Sequence, residues 1–414
     1  MGSAMFTGVT GLLVHQRRLD VIADNIANVN TTGYRTSRVQ FQSLFSQTLS
    51  GGRAPVGALG GVNPIQVGLG VNIGAIETSF TQSALITTGV PSDLAIQGDG
   101  FFILSDGEIY SYTRDGSFAL GSNGALVEPS TGQLLQGYMA DDTGAIDLNA
   151  PIQNLVIPMG TASIVRTTTN VVFTGNLNAG AAVGDTVTRN VRVYDSLGNA
   201  RDLTLVFTKA AGSNQWDWAV TTTDPLISSV TGSGTITYDT TGNVSAGGTG
   251  TITVNFVPGS PSLPTDPFTF TFDFSDTTQL GAVSDVAVFS QDGYPRGSLE
   301  SFTFGQDGVI VGVFTNGLTR VLGQVALATF PNNAGLVRVG NNQFRESPNS
   351  GLPQVGAPST GARGSVTGGV LETSNVDLGT EFSNLILTQR GFQANARTIT
   401  AADTLLQEAV NLVR

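Results

Sequence analysis

The two ends of the chain share one spacing of apolar positions, which the region between them lacks. From Met5 the spacing alternates between four and three residues and takes in Val9, Leu12, Gln16, Leu19, Ala23 and Ile26. From Leu378 the same spacing takes in Phe382, Leu385, Gln389, Phe392, Ala396, Ile399, Asp403, Leu406, Val410 and Val413. It predicts a narrow apolar seam on one side of a helix, as in a coiled coil. Two such seams can pack on each other or on copies of themselves, so the pattern indicates assembly.

The helix ends have their own signals. The first helix is predicted over about 5–29, because Asn28 and residues 30–33 (NTTG) are typical of a helix stop. Asn375 or Asp377 is expected to cap the second helix, which would be about 55 Å long if it continued to the last residue. The residues we predict to carry self-assembly are Val9, Leu12, Leu19, Ile22, Ile26, Leu378, Phe382, Leu385, Phe392, Ile399, Leu406 and Val410.

Between the helices the apolar period changes from helical to two. Phe268, Phe270, Phe272 and Phe274 alternate with Thr and Asp, and Trp216 and Trp218 share one face of a strand. Such alternation predicts one buried and one solvated face, as in an antiparallel barrel or sandwich. Residues 51–74 and 349–369 are rich in Gly and Pro and are predicted as linkers, the first of them extended.

The order of these segments predicts a mainly β fold with α-helical termini and nested domains. Because the ends are expected to meet, residues 1–33 and 375–414 would form a coiled-coil domain, joined by connecting regions 34–75 and 349–374. Residues 76–160 and 290–348 would form an inner β domain. Residues 161–289 would form an outer β-barrel-like domain, inserted into the inner one as a single continuous segment.

The composition of the chain argues against several classes of function. The net charge is −12 and charged residues make up only 12% of the chain, so no cationic stripe for nucleic acid exists. There is no cysteine, and the single histidine, His15, is expected on the surface of the first helix, so Cys- or His-rich metal sites are not predicted. No run of about 18 apolar residues predicts a membrane span. The start also lacks the basic and continuous apolar regions of a cleaved secretory signal.

Candidate sites for chemistry are weak. Gly68 and Gly70, like Gly98 and Gly100, precede strand-like sequence rather than a helix, which favours tight turns over phosphate loops. The acidic cluster Asp141, Asp142 and Asp147 lacks the spacing of a calcium loop and is predicted to be a solvated turn. Trp216 and Trp218 could form a carbohydrate platform, but core positions are favoured. We therefore predict no catalytic, cofactor or metal site and no small-molecule substrate.

Both termini resemble a known family. Residues 19–35 (LDVIADNIANVNTTGYR) closely resemble the N-terminal signature of bacterial flagellar rod and hook proteins. Residues 374–382 (SNVDLGTEF) and 389–395 (QRGFQAN) resemble the C-terminal signature of the same proteins. Residues 193–199 (VYDSLGN), 203–209 (LTLVFTK) and 323–328 (GQVALA) are similar to hook rather than rod sequences. A distal rod protein would be expected to lack the insertion from about 161 to 289.

The resemblance implies a function. Hook subunits leave the cell through the flagellar type III export apparatus, without a cleaved signal peptide, and polymerise under a hook cap protein. The curved tube connects the distal rod protein to the hook-filament junction protein and acts as a universal joint. Its terminal helices form the inner coiled-coil layer, and its β domains form outer layers that slide on one another. The implied location is extracellular, in the flagellum.

Two alternatives and two departures remain. The alternatives are a distal rod protein of the basal body and a secreted β-rich adhesin or carbohydrate-binding protein. Some hook proteins cross-link through a cysteine-derived bond, which this chain cannot form.

The second seam is interrupted by Gln389, Gly391 and Asp403, and a mid-helix Gly costs about 1 kcal/mol relative to Ala. We therefore predict termini that are disordered or only partly helical in the monomer and become ordered on assembly.

Overall fold

A computed structural model describes residues 2–55, 60–141, 143–160, 163–258, 264 and 267–412. The chain divides into two compact units. The insertion unit comprises residues 158–302 and 312–320, and the terminal unit comprises the rest of the chain. The predicted class, mainly β with a helix at each terminus, is confirmed.

The terminal unit begins with a helix followed by paired strands. Helix α1 spans Gly2–Ala27, close to the predicted bounds. The next strands are β1 (Ser37–Ser43), β2 (Ser46–Ser50), β3 (Ile65–Gly68) and β4 (Val71–Thr78). Strand β1 pairs antiparallel with β4, and β2 with β3. The prediction of an extended linker over 51–74 is therefore wrong where β3 and β4 lie, because apolar residues alternate there and support strand pairing. Residues 56–59 lie outside the described part.

Eight short strands continue the terminal unit. They are β5 (Leu85–Thr87), β6 (Leu94–Gln97), β7 (Phe101–Ser105), β8 (Tyr110–Thr113), β9 (Ala119–Leu120), β10 (Leu126–Val127), β11 (Leu134–Met139) and β12 (Gln153–Asn154). Every residue of β7 is buried, so both faces of this strand are covered, which is consistent with its continuous apolar run of residues 101–104 (FFIL).

Within the described residues, the insertion unit contains twelve consecutive strands, several of them long. They are β13 (Ser163–Arg166), β14 (Asn170–Asn176), β15 (Thr186–Tyr194), β16 (Ala200–Lys209), β17 (Gln215–Thr221), β18 (Ile227–Thr231), β19 (Ser233–Tyr238), β20 (Val244–Ala246), β21 (Thr249–Phe256), β22 (Phe268–Thr278), β23 (Ala287–Gln291) and β24 (Tyr294–Phe304, whose last two residues belong to the terminal unit). Two five-stranded sheets, in the orders β18-β21-β22-β14-β23 and β15-β16-β17-β19-β20, share one apolar core. Their strand pairs are antiparallel as predicted, except for the parallel pair β14–β22.

Aromatic residues fill the core of the insertion unit. The four alternating Phe residues of β22 all point inward, as the period of two predicts. Phe173 and Phe274 lie 5.1 Å apart between ring centroids, and Trp218 and Phe274 lie 5.3 Å apart. Trp216 is fully buried and Trp218 is 3% exposed. Their predicted place in the core is confirmed, and neither ring presents a platform for a sugar.

The chain then completes the terminal unit. Its last elements are β25 (Val309–Phe314), β26 (Thr319–Val325), β27 (Leu327–Thr329), a 3-10 turn (Asn333–Gly335), β28 (Val337–Gly340), β29 (Gln343–Arg345), β30 (Gln354–Gly356), β31 (Ser365–Gly368), β32 (Val370–Glu372) and helix α2 (Leu378–Leu412). Late strands pair with early ones: β27 with β7, β29 with β8, β31 with β6 and β32 with β5. This interleaving brings the two ends of the chain to one place.

Candidate assembly site on the paired terminal helices

Helices α1 and α2 pack against each other in antiparallel directions. Arg18 donates a hydrogen bond from Nη2 to Oδ1 of Asn384 at 3.2 Å. Further along α1 toward its N-terminus, the contacts move toward the C-terminus of α2: His15 meets Gly391, Gly11 meets Asn395, and Gly8 meets Ile399. The pairing of the two termini that the matched seams predict is therefore present within a single chain.

Three glycines make the close helix contact. A Cβ added to Gly8 would lie 2.9 Å from Cγ1 of Ile399, and one added to Gly11 would lie 2.8 Å from the side chain of Asn395. A Cβ at Gly391 would lie 2.5 Å from Cε1 of His15. Each glycine therefore leaves room for a side chain of the opposite helix, which a larger residue would obstruct. The predicted seam does not include Gly8 and Gly11, although their spacing of three residues places them on one helix face. Gly391 was predicted only as an interruption of the second seam.

The face of α1 that is buried within the chain is not the predicted seam. The fully buried positions of α1 are Gly8, Gly11, Val14, Ile22 and Asn25. Most of them precede a predicted seam position by one residue, a rotation of about 100° around the helix. Of the predicted assembly residues on α1, Ile22 is buried, Leu12, Leu19 and Ile26 are half-buried, and Val9 is 42% exposed.

The predicted residues on α2 are more accessible still. Leu385, Ile399 and Leu406 are half-buried. Leu378, Phe382, Phe392 and Val410 are exposed, Phe382 by 51% and Val410 by 65%. Val413, the last seam position, lies outside the described residues. Much of the predicted seam on both helices is thus not used for packing within the chain.

The polar signature residues near the end of the first helix have a structural role. The amide of Asn25, 1% exposed, donates to the carbonyl oxygen of Ser37 at 2.9 Å and accepts from the Ser37 N–H at 3.0 Å. The Tyr34 hydroxyl donates to Oδ2 of Asp24 at 3.0 Å, and burial raises the Tyr34 pKa. These bonds fix the turn that leaves α1, so the signature serves folding rather than chemistry.

A buried ionic cluster joins the two termini. Glu372 accepts from Nη2 of Arg35 at 2.8 Å, and all three side chains of the cluster, including Arg114, are at least 96% buried. Arg114 reaches the other Glu372 oxygen at 3.4 Å and the carbonyl oxygen of Gly98 at 2.7 Å. Burial, followed by the neighbouring Arg35, lowers the pKa of Arg114 to about 10, so it stays charged at neutral pH. One carboxylate thus holds both ends of the chain to the β region.

Of the two predicted caps of α2, Asn375 and Asp377, the structure uses Asp377. Oδ1 of Asp377 accepts from the N–H groups of Gly379 and Thr380, at 2.9 and 3.4 Å. Hydrogen bonds from the Thr380 side chain and from these backbone groups lower the Asp377 pKa. Asn375 has a different role, because its Oδ1 accepts from the Thr36 N–H at 2.7 Å and ties the two chain ends together.

His15 corrects one expectation. The sequence places it on the helix surface, but it lies half-buried between Gly391 of α2 and Phe41 of β1. Its ring meets that of Phe41 edge to face, with centroids 5.4 Å apart, and its Nδ1 is buried without a hydrogen-bond partner. Burial, and secondarily the charge of Arg18, lower its pKa. Local sequence does not indicate this position, because the glycine that admits the ring lies on the other helix.

The other candidate sites are structural. Asp141 closes a solvated turn by accepting from Thr143 and Ala145, while Asp142 lies outside the described residues. Gly98 and Gly100 have φ values of 106° and 135° at a turn between two strands, as predicted for tight turns. Among the described residues no group of three or more potential ligands could hold a metal ion. No described helix is long and apolar enough to cross a membrane.

Sequence models of four flagellar domains match the chain. The model described as the flagellar basal body protein FlaE D2 domain matches residues 162–294, and that of the flagellar hook protein FlgE/F/G D1 domain matches residues 95–172. The flagella basal body rod protein model matches residues 5–35. The flagellar basal body rod FlgEFG protein C-terminal model matches residues 367–412. The last two matches cover α1 and α2.

Full-length relatives separate hook from rod. The chain is 39% identical to the flagellar hook protein FlgE of Borreliella burgdorferi over 100% of both chains. It is 34% identical to that of Salmonella typhimurium over 98% of both. It is 29% identical to the flagellar basal-body rod protein FlgG of Bacillus subtilis, over 99% of this chain and 98% of that one. The expectation that a rod protein lacks the insertion is therefore wrong for this relative, because the match covers nearly the whole length of both chains. The higher identities to hook proteins nevertheless favour the hook. The chain belongs to the FlgE family of flagellar hook proteins.

Proposed function

We propose that this hook subunit polymerises through the outward faces of α1 and α2. The observation that carries the proposal is the apolar surface that the helix pair leaves open. On α1, Phe6 is 55% and Leu13 57% exposed; on α2, Leu387 is 62% and Leu405 54% exposed, beside the seam residues Phe382 and Val410. Clustered exposed apolar side chains are typical of surfaces that bury against a partner. In a homopolymer that partner is another copy of the same helices.

The division of the chain supports a layered tube. In this proposal the terminal helices form the inner layer of the tube and the β domains form its outer layers. The interleaved strands and the buried Glu372 cluster support a stiff connection between helices and β structure, which torque transmission requires. Sliding between neighbouring β layers would allow the tube to bend while it turns, as a universal joint does.

The same proposal assigns partners and a route. The distal rod protein would bind at the base of the tube, a hook cap protein at its growing tip and a hook-filament junction protein at its finished end. Export through the flagellar type III apparatus would deliver the chain outside the cell without cleavage of a signal peptide. The family membership supports these assignments, and none of them needs a cofactor.

Electron microscopy of the purified chain after polymerisation tests the proposal. The expected result is a curved, supercoiled tube. Straight, rigid rods would favour the rod alternative, and soluble protein that never forms tubes would refute the proposal. Complementation supplies a second arm, because the gene should restore motility to a bacterium that lacks its hook protein.

A further inference from the structure

Helix α2 carries its charges on two different sides. Arg390 and Arg397 are seven residues apart, two turns of helix, and therefore lie on one side about 10 Å apart. Asp403 lies roughly 130° further around the helix at 100° per residue. All three side chains are exposed. A same-helix ion pair needs a spacing of three or four residues, and Asp403 is six and thirteen residues from the two arginines.

The two arginines lack an acidic partner within the described part of the chain. No ion pair there involves either guanidinium. The helix contacts α1 through Gly391, Asn395 and Ile399, on another side. A shallow depression of about 480 Å³ lies between the arginines, lined also by Gln393, Ala394, Thr398 and Ala401. Asp403 accepts one intrahelical bond, from Nε2 of Gln407 at 3.2 Å.

Helical symmetry allows these two sides to meet. This step rests on the proposed polymerisation. Every copy in a helical polymer points the same way along the axis, so neighbouring α2 helices are parallel and contact one another through different sides. If one copy is displaced by nine to ten residues, about 14 Å, its Asp403 lies level with the midpoint between Arg390 and Arg397 of the next copy. Small lining residues such as Ala394 leave room for the approach.

We propose that Arg390 and Arg397 of one copy form a clamp for the Asp403 carboxylate of the next copy. The clamp gives the apolar contact between copies a fixed axial displacement, which nonpolar surfaces alone define poorly. It also explains why an acidic residue interrupts the apolar seam. Each copy inside the polymer takes part twice, once with its arginines and once with its carboxylate.

The test is the critical concentration for elongation of seeded polymer, measured with the full chain. Arg390→Glu with Arg397→Glu should raise this concentration about tenfold or more, as should Asp403→Arg. The triple exchange should return it to within about threefold of the original chain. Glu408→Arg is the matched control, because Glu408 lies on the side of the arginines and should leave the value unchanged. Thermal unfolding of the β units should be the same in every variant.

The outcomes are distinct. Unchanged elongation by Asp403→Arg, or failure of the triple exchange to restore it, overturns the clamp. Restoration of the double arginine variant by Asp20→Arg or Glu381→Arg instead would assign the arginines to a different carboxylate and also overturn it. If the original chain itself forms no tubes, the proposed polymerisation fails, and that result is separate from the clamp.

Discussion

Gly391 on α2 lies directly against the imidazole of His15 on α1. A Cβ at position 391 would meet Cε1 of His15 at 2.5 Å, Nε2 at 2.7 Å and Nδ1 at 3.1 Å. The glycine that weakens α2 by propensity is thus the residue that admits the only histidine of the chain. The contact between the helices therefore depends on the absence of a side chain at 391 opposite the imidazole ring of His15.

Replacement of Gly391 by Ala is expected to weaken the assembled polymer. The gain in helix propensity is about 1 kcal/mol, whereas overpacking against a ring costs about 1–3 kcal/mol. In a His15→Ala background the same replacement should strengthen the polymer, because the obstruction is gone and the propensity gain remains. The urea midpoint of polymer dissociation, followed by light scattering, measures both effects; an equal shift in the two backgrounds would contradict the contact.

The helix contact is expected to weaken in mild acid. Burial lowers the His15 pKa in the folded state below its ordinary value of 6.5. The folded chain therefore binds fewer protons, and stability is lost as pH falls from about 6.5 to the lowered pKa. The dissociation temperature of the polymer between pH 7.5 and 5 measures this loss. His15→Phe should flatten the profile in that window, since the lowered Asp377 pKa acts only below about 3.8.

Glu372→Gln is expected to cost about 3–5 kcal/mol of unfolding free energy, because it leaves two buried guanidiniums without their carboxylate. Glu77→Gln is the matched control. Glu77 pairs with Arg38 at 2.9 Å, but the two side chains are 41% and 74% exposed, so its loss should cost at most about 1 kcal/mol. Urea unfolding of both variants, with the slope of the transition compared, decides the matter. Equal costs would mean that Glu372 does not hold the two chain ends.

Phe382→Asp and Val410→Asp are expected to abolish tube formation while the β units stay folded. Both side chains are exposed, so the carboxylate is solvated in the monomer and would be buried only between copies. Sedimentation and near-ultraviolet circular dichroism measure assembly and folding separately. Val283→Asp is the control, since Val283 is 83% exposed on the insertion unit. Normal tubes from both helix variants would remove these residues from the assembly surface.

The ends of the chain are expected to exchange amide protons much faster in the monomer than in the polymer. The structure pairs α1 with α2, but many large apolar side chains of both helices remain exposed, so the pair gains less from burial than the β units do. Hydrogen exchange on monomer and polymer, resolved by peptide, measures the difference. Equal protection of residues 5–27 and 378–412 in both states would show that assembly does not order the helices.

The strands of the insertion unit can be predicted from the sequence, because buried and exposed side chains alternate along each strand. Phe268 to Phe274 alternate with polar residues, and a period of two has one interpretation once the run exceeds a few residues. The parallel pairing of β14 with β22 cannot be predicted in the same way, since the residues of one strand do not indicate which distant strand it will pair with. The prediction of a linker over 51–74 is wrong for a related reason. Glycine and proline dominate the composition of this segment, but β3 and β4 within it pair with β2 and β1.

The sequence by itself determined the family, the two terminal helices and the buried place of Trp216 and Trp218, because these depend on local spacing or on long motifs. It narrowed the cap of α2 to Asn375 or Asp377, and the structure selected Asp377. Only the tertiary structure decided which side of α1 meets α2, since the buried stripe lies one residue before the predicted seam. It also decided the roles of Gly391, His15 and Glu372. Each of these residues acts through a partner hundreds of positions away, and such contacts exist only once folding has brought the two ends together.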